Sequence, residues 1–231
     1  RPNSINNEIN SETKTYNTLN PPPNSKSIKK TKLSYKFSFW FRISEEMINN
    51  QLLKININTN EYESQVKKLA EFDTMEQFWG IYQHLKKPDV CKPGIDIQLF
   101  KDPIRPMWED EYNKNGGRIS LKLRKDFSSI IWEEILLALI GDQIPKDISD
   151  EINGVVICVK KKLNMLQIWF KNYNNKIIME LERCIRDLIQ IPTEVPLEKK
   201  QFFIDNKDGD DKNFDNLKKG EEEKEVNKDE E

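Results

Sequence analysis

Histidine, cysteine and long apolar runs are scarce in this chain of 231 residues. With one histidine, His84, a Ser-His-Asp or Cys-His constellation is possible only if it uses that residue. Cys91, Cys158 and Cys184 lie far apart without C-x-x-C spacing, which argues against a disulfide framework and against a zinc site. Thiols in this pattern fit a reducing compartment, the cytosol or the nucleus, of which we predict the cytoplasm, and we expect no metal.

The amino-acid sequence also shows no pattern typical of a membrane-spanning helix or of a catalytic cluster. No apolar run approaches the ~20 residues that a membrane helix requires, and the amino terminus lacks an apolar signal core. No nucleophile–base pair stands out. We therefore predict neither an enzyme nor a membrane protein, and no cofactor.

Charge is unevenly distributed along the chain. Residues 205–231 carry 12 acids and 6 lysines, a net charge of −6, which leaves +4 for residues 1–204 of the total of −2. The first 30 residues are rich in Asn, Ser, Thr and Lys, and both ends have too few apolar residues to offset the cost of ordering. We predict a disordered arm at 1–32, a folded domain at 33–204 and a disordered acidic tail at 205–231.

Hydrophobic periodicity within the folded part predicts strands interrupted by three helices. The helices are predicted at 75–85, 128–140 and 174–190. The strands are predicted at 33–42, 64–72, 96–101, 118–123, 154–160, 165–171 and 201–204. Residues 43–62 are predicted to be a long loop or an insertion, in which a short strand is also compatible with the pattern. Because there is no regular βαβ alternation, we expect an α+β fold in which an antiparallel sheet carries helices on one face and leaves the other free for a ligand.

Residues 100–118 show the pattern of a rigid binding loop. Two prolines restrict its backbone, and the pair Gly116-Gly117 predicts a tight turn at its end. Between them Trp108 precedes Glu109. An indole face attracts positive charge, and a carboxylate accepts strong hydrogen bonds, so this pair suits a flat cationic ring that presents N–H donors. On its own such a dipeptide is more often an exposed or half-buried aromatic beside a solvated acid.

Further side chains are candidates for the rest of such a site. Tyr62 is the best candidate for a second stacking aromatic. Phosphates on the ring would require basic partners, which Arg118 and the run Lys160-Lys161-Lys162 could supply. A run of lysines at a hairpin tip is, however, more often simply solvated.

Several blocks of sequence occur together in one order. They are Phe72 to Trp79, Leu99 to Asp102, Pro106 to Glu111, Asn115 to Arg118, Trp132 to Gly141, and Gly154-Val155-Val156 through Ile168-Trp169. In this order they resemble the eukaryotic translation initiation factor four-E family of mRNA cap-binding proteins. The resemblance covers residues 33–204 and implies a curved antiparallel sheet with three helices on its convex face and the 7-methylguanine of the cap in its concave face.

The resemblance also implies roles for individual residues around the base. Trp108 would be one stacking wall, and Glu109 would accept hydrogen bonds from the guanine N1–H and amine. Tyr62 matches the position of the second stacking wall, and Trp169 that of a Trp contacting the N7-methyl group.

For the phosphates, Arg118 and Lys160 match basic positions of the family. Another phosphate-contacting Lys of the family aligns with Met165, so either Lys162 replaces it or the phosphates are bound more weakly.

Phe37 and Tyr62 stand where the main initiation factors carry Trp. That pattern is similar to the divergent branch called the four-E homologous protein, whose members often repress translation. Since Tyr stacks with less surface than Trp, we expect weaker cap binding than with two Trp walls.

On the convex face the resemblance implies a surface for partner peptides with a Tyr-x4-Leu-apolar motif. Its residues here are Trp79, Met75, Glu134 and Leu137. Two positions depart from the family: Thr31-Lys32-Leu33 replaces His-Pro-Leu, and Glu133 replaces an apolar residue. These changes bear on the choice of partner.

We predict a monomer that binds the 7-methylguanosine cap of mRNA. It would act in initiation or control of translation through a partner protein, which is either an initiation scaffold or a repressor. The alternative is an adaptor with weakened cap binding that acts as a translational repressor.

Overall fold

The computed structural model describes residues 30–44 and 65–202. The strands in this part are β1 Lys32–Ile43, β2 Val66–Thr74, β3 Ile95–Lys101, β4 Gly117–Leu123, β5 Ile152–Cys158, β6 Asn164–Phe170 and β7 Glu198–Gln201. The helices are α1 Met75–Tyr82, α2 Lys125–Ile140, α3 Lys146–Glu151 and α4 Asn175–Ile189.

All seven strands form one curved sheet in the order β2-β1-β3-β5-β6-β4-β7. Every neighbouring pair is antiparallel. The main core lies between one face of this sheet and the helices, because inward residues of the strands cluster with buried residues of α1, α2, α3 and α4. The predicted α+β class and antiparallel sheet are confirmed.

Successive side chains of β1 point alternately to the two faces of the sheet. Phe37 and Phe39 are fully buried in the main core, where Phe39 packs on Phe72 with ring centroids 5.5 Å apart. Trp40 packs with a second, smaller cluster on the opposite face. We call this opposite face, which the helices do not cover, the open face.

Side-chain caps fix the beginnings of two predicted helices. Thr74 precedes α1 and its side chain accepts a hydrogen bond from the backbone N–H of Gln77, while the Gln77 side chain accepts one from the N–H of Asp73. Asn174 caps α4 in the same way through Ile177 N–H, at 3.0 Å.

Three expectations about the elements need correction. A fourth helix, the six-residue α3, is present in addition to the three predicted ones. It is too short to show a helical period in sequence. Helix α2 begins at Lys125, three residues before the predicted start. The last strand is Glu198–Gln201 rather than 201–204, because residues 198–201 pair with β4.

The predictions for residues 1–29, for most of the loop 43–62 and for the acidic tail lie outside the described residues. No helix within 30–44 and 65–202 is long and apolar enough to cross a membrane.

Candidate functional site

Side chains on the open face of β3, β5, β6 and β4 form rows across the sheet. In the first row Arg118 of β4 lies directly opposite Trp169 of β6. In the second row Ser120 lies opposite Gln167, and in the third Lys122 lies opposite Met165. Residues directly opposite in an antiparallel pair project to the same face, so each row is a set of neighbours.

Trp169 lies at the bottom of this face and is only 6% exposed. The edge of Phe100 meets its ring at a centroid distance of 5.4 Å, and Phe202 covers it at 4.4 Å. Its indole Nε1 donates to Oε1 of Gln167 at 3.1 Å. The orientation of the indole is therefore fixed by packing and by a hydrogen bond.

Arg118 shares the same acceptor. Its Nη1 lies 3.5 Å from Gln167 Oε1, a long and weak hydrogen bond. The Nε of Arg118 is buried and has no hydrogen-bond partner within the described part of the chain. A buried guanidinium N–H that is unsatisfied favours an additional acceptor, and an anion such as phosphate is the strongest one available.

The loop between β3 and β4 carries Trp108 and Glu109. It begins after Lys101, includes a cis peptide bond between Asp102 and Pro103, and ends where Gly117 pairs with Phe170 of β6. The Trp108 side chain is half-buried and that of Glu109 is exposed. The loop therefore lies at the edge of the sheet next to the row of Trp169.

Two buried asparagine side chains hold this loop. Asn113 is fully buried, and its Nδ2 donates to the carbonyls of Arg105 at 2.9 Å and Met107 at 2.7 Å. Asn153 of β5 donates from Nδ2 to Asn113 Oδ1 at 2.9 Å and to the carbonyl of Tyr112 at 2.7 Å. Hydrogen bonds made by buried amides thus join the backbone on both sides of Trp108-Glu109 to the sheet.

The carboxylate of Asp110 organises the same segment from inside. It accepts hydrogen bonds from the backbone N–H of Arg105 at 3.2 Å and of Tyr112 at 3.1 Å. A side chain that satisfies two loop donors replaces the backbone pairing that the loop lacks. The predicted rigidity therefore has a specific basis beyond the prolines.

The predicted tight turn is present, since the N–H of Gly116 donates to the carbonyl of Asn113 at 2.8 Å, but the glycine pair does not supply a left-handed conformation for it. Neither glycine has a positive φ angle, and Gly117 is the first residue of β4. A Cβ at Gly116 would lie 1.8 Å from the carbonyl oxygen of Phe170, and one at Gly117 would lie 2.5 Å from that of Lys200. The pair is required because the neighbouring strands approach closely.

Lys160 and Lys162 are exposed in the turn between β5 and β6. The backbone N–H of Lys160 donates to Oδ1 of Asn164 at 3.2 Å, and Nδ2 of Asn164 donates to Ser128 Oγ of α2 at 2.9 Å. Helix α2 therefore anchors this turn at the end of the face that carries Met165.

The structure brings some predicted site residues together and leaves one unplaced. Arg118 and Trp169 are direct neighbours, Trp108 and Glu109 lie on the adjoining loop, and the two lysines lie at the far turn. Tyr62 lies outside the described residues. Within 30–44 and 65–202, no cluster of His, Cys, Asp and Glu is suited to a metal ion.

Sequence reasoning missed Gln167, Asn113 and Asn153. Gln167 had a usable signal, since it is the polar residue that alternates with Trp169 on the same face of β6. The two asparagines had none, because they are 40 residues apart and meet only in the fold.

On the helical side, Trp79 is 42% exposed although its ring packs edge-on against Phe78 and Tyr82. Met75 and Leu137 are half-buried and Glu134 is exposed. A groove of about 380 Å³ runs along α2; it is lined by Lys87, Ser129, Ile130, Glu133, Glu134, Leu137 and Gln143. We call Trp79, Met75, Glu134 and Leu137 the helical-face surface.

Charged and amide groups modify this surface. Glu133 lies 3.7 Å from Lys87 across the groove. Burial and the neighbouring Glu133 raise the pKa of the Tyr82 hydroxyl, which therefore stays protonated. At the other side, the N–H of Thr31 donates to the Glu76 carboxylate at 3.0 Å, which joins the start of β1 to α1.

Comparison with known proteins gives a consistent result. The chain is 36% identical over 169 residues to "Eukaryotic translation initiation factor NCBP" of Arabidopsis thaliana, which covers 73% of this chain and 72% of the relative. A relative of the same name from Oryza sativa subsp. japonica is 36% identical over 140 residues, covering 60% of this chain and 61% of that protein.

Among solved structures, the fold is similar to C. elegans eIF4E-3 in its complex with the 4E-binding protein Mextli and cap analog. The TM-score is 0.66 at 25% identity, and the similarity covers 74% of this chain and 92% of that chain. The family model described as eukaryotic initiation factor 4E matches residues 32–220. The chain therefore belongs to the eukaryotic initiation factor 4E family.

Proposed function

We propose that this protein binds the 7-methylguanosine cap of mRNA on the open face of its sheet. The observation that carries the proposal is the fixed pair of Trp169 and Arg118, held by one acceptor, Gln167, beside a loop that presents Trp108 and Glu109. An apolar wall, a cation and an exposed carboxylate are the three groups that a cationic base with a phosphate chain needs.

The chemistry of the base matches the loop. Methylation at N7 makes the guanine cationic, and stacking of a cation on an indole contributes about 0.5–2 kcal/mol depending on desolvation. The carboxylate of Glu109 accepts hydrogen bonds from the N1–H and amine, and charged acceptors roughly double the strength of such bonds. The resemblance assigns the methyl group to Trp169, and Tyr62, which lies outside the described residues, is the residue proposed for the opposite wall.

The phosphate chain extends away from the base over the basic side of the face. Arg118 has an unsatisfied buried N–H for it. Lys160 and Lys162 stand exposed at the turn beyond.

We propose that partner proteins bind at the helical-face surface. An exposed Trp beside a half-buried Met and Leu is a suitable receptor for the apolar side of an amphipathic helix, and Glu134 suits a basic residue at its edge. The occupant proposed is a scaffold or repressor protein with a Tyr-x4-Leu-apolar motif. We propose that the present chain acts in the cytoplasm as a monomer bound to capped mRNA, in initiation or control of translation.

The decisive test is a fluorescence titration with 7-methyl-GTP and with unmethylated GTP. Methylated nucleotide should quench the tryptophans and bind at least tenfold more tightly, a difference of about 1.4 kcal/mol. Equal binding of the two nucleotides would refute the proposal. Trp108→Ala and Glu109→Gln should each abolish retention on cap resin, whereas Trp79→Ala, on the other face, should be retained.

A second candidate, an adaptor with weak cap binding that represses translation, is favoured by one observation. Met165 places an uncharged side chain on the open face where the resemblance predicts a lysine. A pull-down from extract separates the roles: co-purification of the large initiation scaffold favours initiation, and that of a repressor protein favours repression. A partner peptide that binds normally to a protein without detectable cap affinity would favour the adaptor.

A further inference from the structure

Lys122 lies on the same side of β4 as Arg118. Along this strand Ile119, Leu121 and Leu123 are buried in the main core, so the alternate residues project to the open face. The Lys122 side chain is exposed, and its ammonium group has no ion pair or hydrogen bond within the described part of the chain. It is therefore available to a ligand on this face.

The row that contains Lys122 crosses five strands. The register places it as Arg42, Asp96, Cys158, Met165 and Lys122. Arg42 and Asp96 form an ion pair at 2.8 Å and are largely buried. Burial raises the pKa of the Cys158 thiol, which stays neutral. Lys122 thus supplies the uncompensated charge of this row.

Distance along the strands determines which part of a ligand Lys122 meets. Successive residues of a strand are about 3.3 Å apart, so Lys122 lies about 13 Å from Arg118 along β4. In the proposed complex the base lies next to Trp169 and Trp108, at the start of β4. A phosphate chain that runs from there along the open face passes Arg118 first and reaches Lys122 last. Its Cβ lies about 5 Å from that of Met165, the residue directly opposite.

We propose that Lys122 binds the phosphates of the cap that are farthest from the methylated base, and so supplies from β4 a charge that β6 lacks at Met165. This inference rests on the proposed cap-binding function. It assigns the distal phosphate contact to a strand residue held by the sheet, in addition to the lysines of the exposed turn.

The test moves the positive charge from β4 to β6 and measures how the effect on affinity depends on the number of phosphates in the nucleotide. Affinities for 7-methyl-GMP, 7-methyl-GDP and 7-methyl-GTP are measured for the wild type, Lys122→Met, Met165→Lys and the double variant Lys122→Met/Met165→Lys. Lys122→Met should weaken triphosphate binding about fivefold, the scale of one solvent-exposed ion pair, and monophosphate binding less than twofold. The double variant should restore triphosphate binding, because the cation returns to the same row.

Lys176→Met, an exposed change on α4, is the matched control and should bind like the wild type. Equal losses for monophosphate and triphosphate, no loss with Lys122→Met, or no recovery in the double variant would each overturn the assignment. A wild-type protein that binds none of the three nucleotides would refute the proposed function and this inference with it. Normal wild-type binding with an unaffected Lys122→Met refutes this inference alone.

Discussion

Asn113→Ala tests whether buried amides hold the loop that presents Trp108 and Glu109. The side chain of Asn113 is fully buried and makes three hydrogen bonds, to the carbonyls of Arg105 and Met107 and to the amide of Asn153. Alanine removes all three and leaves a small cavity next to the loop. The backbone conformation of Asn113 itself is one that alanine can adopt, since its φ is not positive.

The expected loss in the free energy of unfolding depends on which hydrogen bonds the partners of Asn113 keep in the variant. A neutral hydrogen bond contributes about 1 kcal/mol net, and a buried partner left unsatisfied costs about 1–3 kcal/mol. Here each partner keeps another bond: the carbonyl of Arg105 accepts from Met107 N–H, that of Met107 accepts from Asp110 N–H, and Asn153 still donates to a backbone carbonyl. Three hydrogen bonds at about 1 kcal/mol each, with no partner left unsatisfied, give an expected loss of about 3 kcal/mol in the free energy of unfolding.

Two measurements check this expectation. Guanidinium denaturation followed by tryptophan fluorescence gives the free energy of unfolding. Titration with 7-methyl-GTP gives affinity, which should fall about tenfold, because a loop that must be ordered on binding costs about 1–2 kcal/mol per fixed residue. Asn172→Ala is the matched control; its amide donates to Glu151 at the surface, so stability should change by less than about 0.5 kcal/mol.

The reasoning fails if Asn113→Ala unfolds within about 0.5 kcal/mol of the wild type, the range of an ordinary surface change. It also fails if stability falls as expected and cap affinity is unchanged, because the loop would then be positioned by other groups. Asn153→Ala should weaken cap binding in the same direction but less, since the two carbonyl contacts of Asn113 survive.

Three further predictions concern packing, pH and charge. Gly116→Ala should destabilise the fold by about 2 kcal/mol through overpacking against β6, whereas Gly80→Ala, with open space in α1, should stabilise it by about 0.5–1 kcal/mol; thermal melting of the pair decides. Burial lowers the pKa of Lys101 from 10.5 to about 8, so the unfolded state binds more protons between these values. Stability relative to Lys101→Met should then rise by roughly 1.5 kcal/mol from pH 8 to 9.5 in denaturation experiments, and a flat difference would contradict this. Gln167→Glu should pair with the guanidinium of Arg118 and weaken 7-methyl-GTP binding more than Gln167→Leu does; the opposite order in titrations would contradict it.

Local patterns predicted most of the elements. The alternation around Phe37 and Phe39 predicted β1, and apolar periods predicted the helices at 75–85 and 174–190, whose starts are capped by Thr74 and Asn174 in the structure. In these cases neighbouring residues determine the backbone through periodicity and capping, which are local effects. The predicted family is confirmed, whereas the predicted divergent branch and the base and phosphate roles stay predictions.

The sequence by itself determined the α+β class, the strand and helix order and the blocks that mark the family. Only the tertiary structure decided that Asn113 and Asn153 meet, that Gln167 serves both Trp169 and Arg118, and that Lys122 faces Met165. The physical reason is cross-strand register: contacts between strands distant in sequence depend on pairing across the whole sheet, which no local pattern specifies. The register also explains why glycine is required at 116 and 117 beyond the turn that ends there, because the neighbouring strands approach both positions closely.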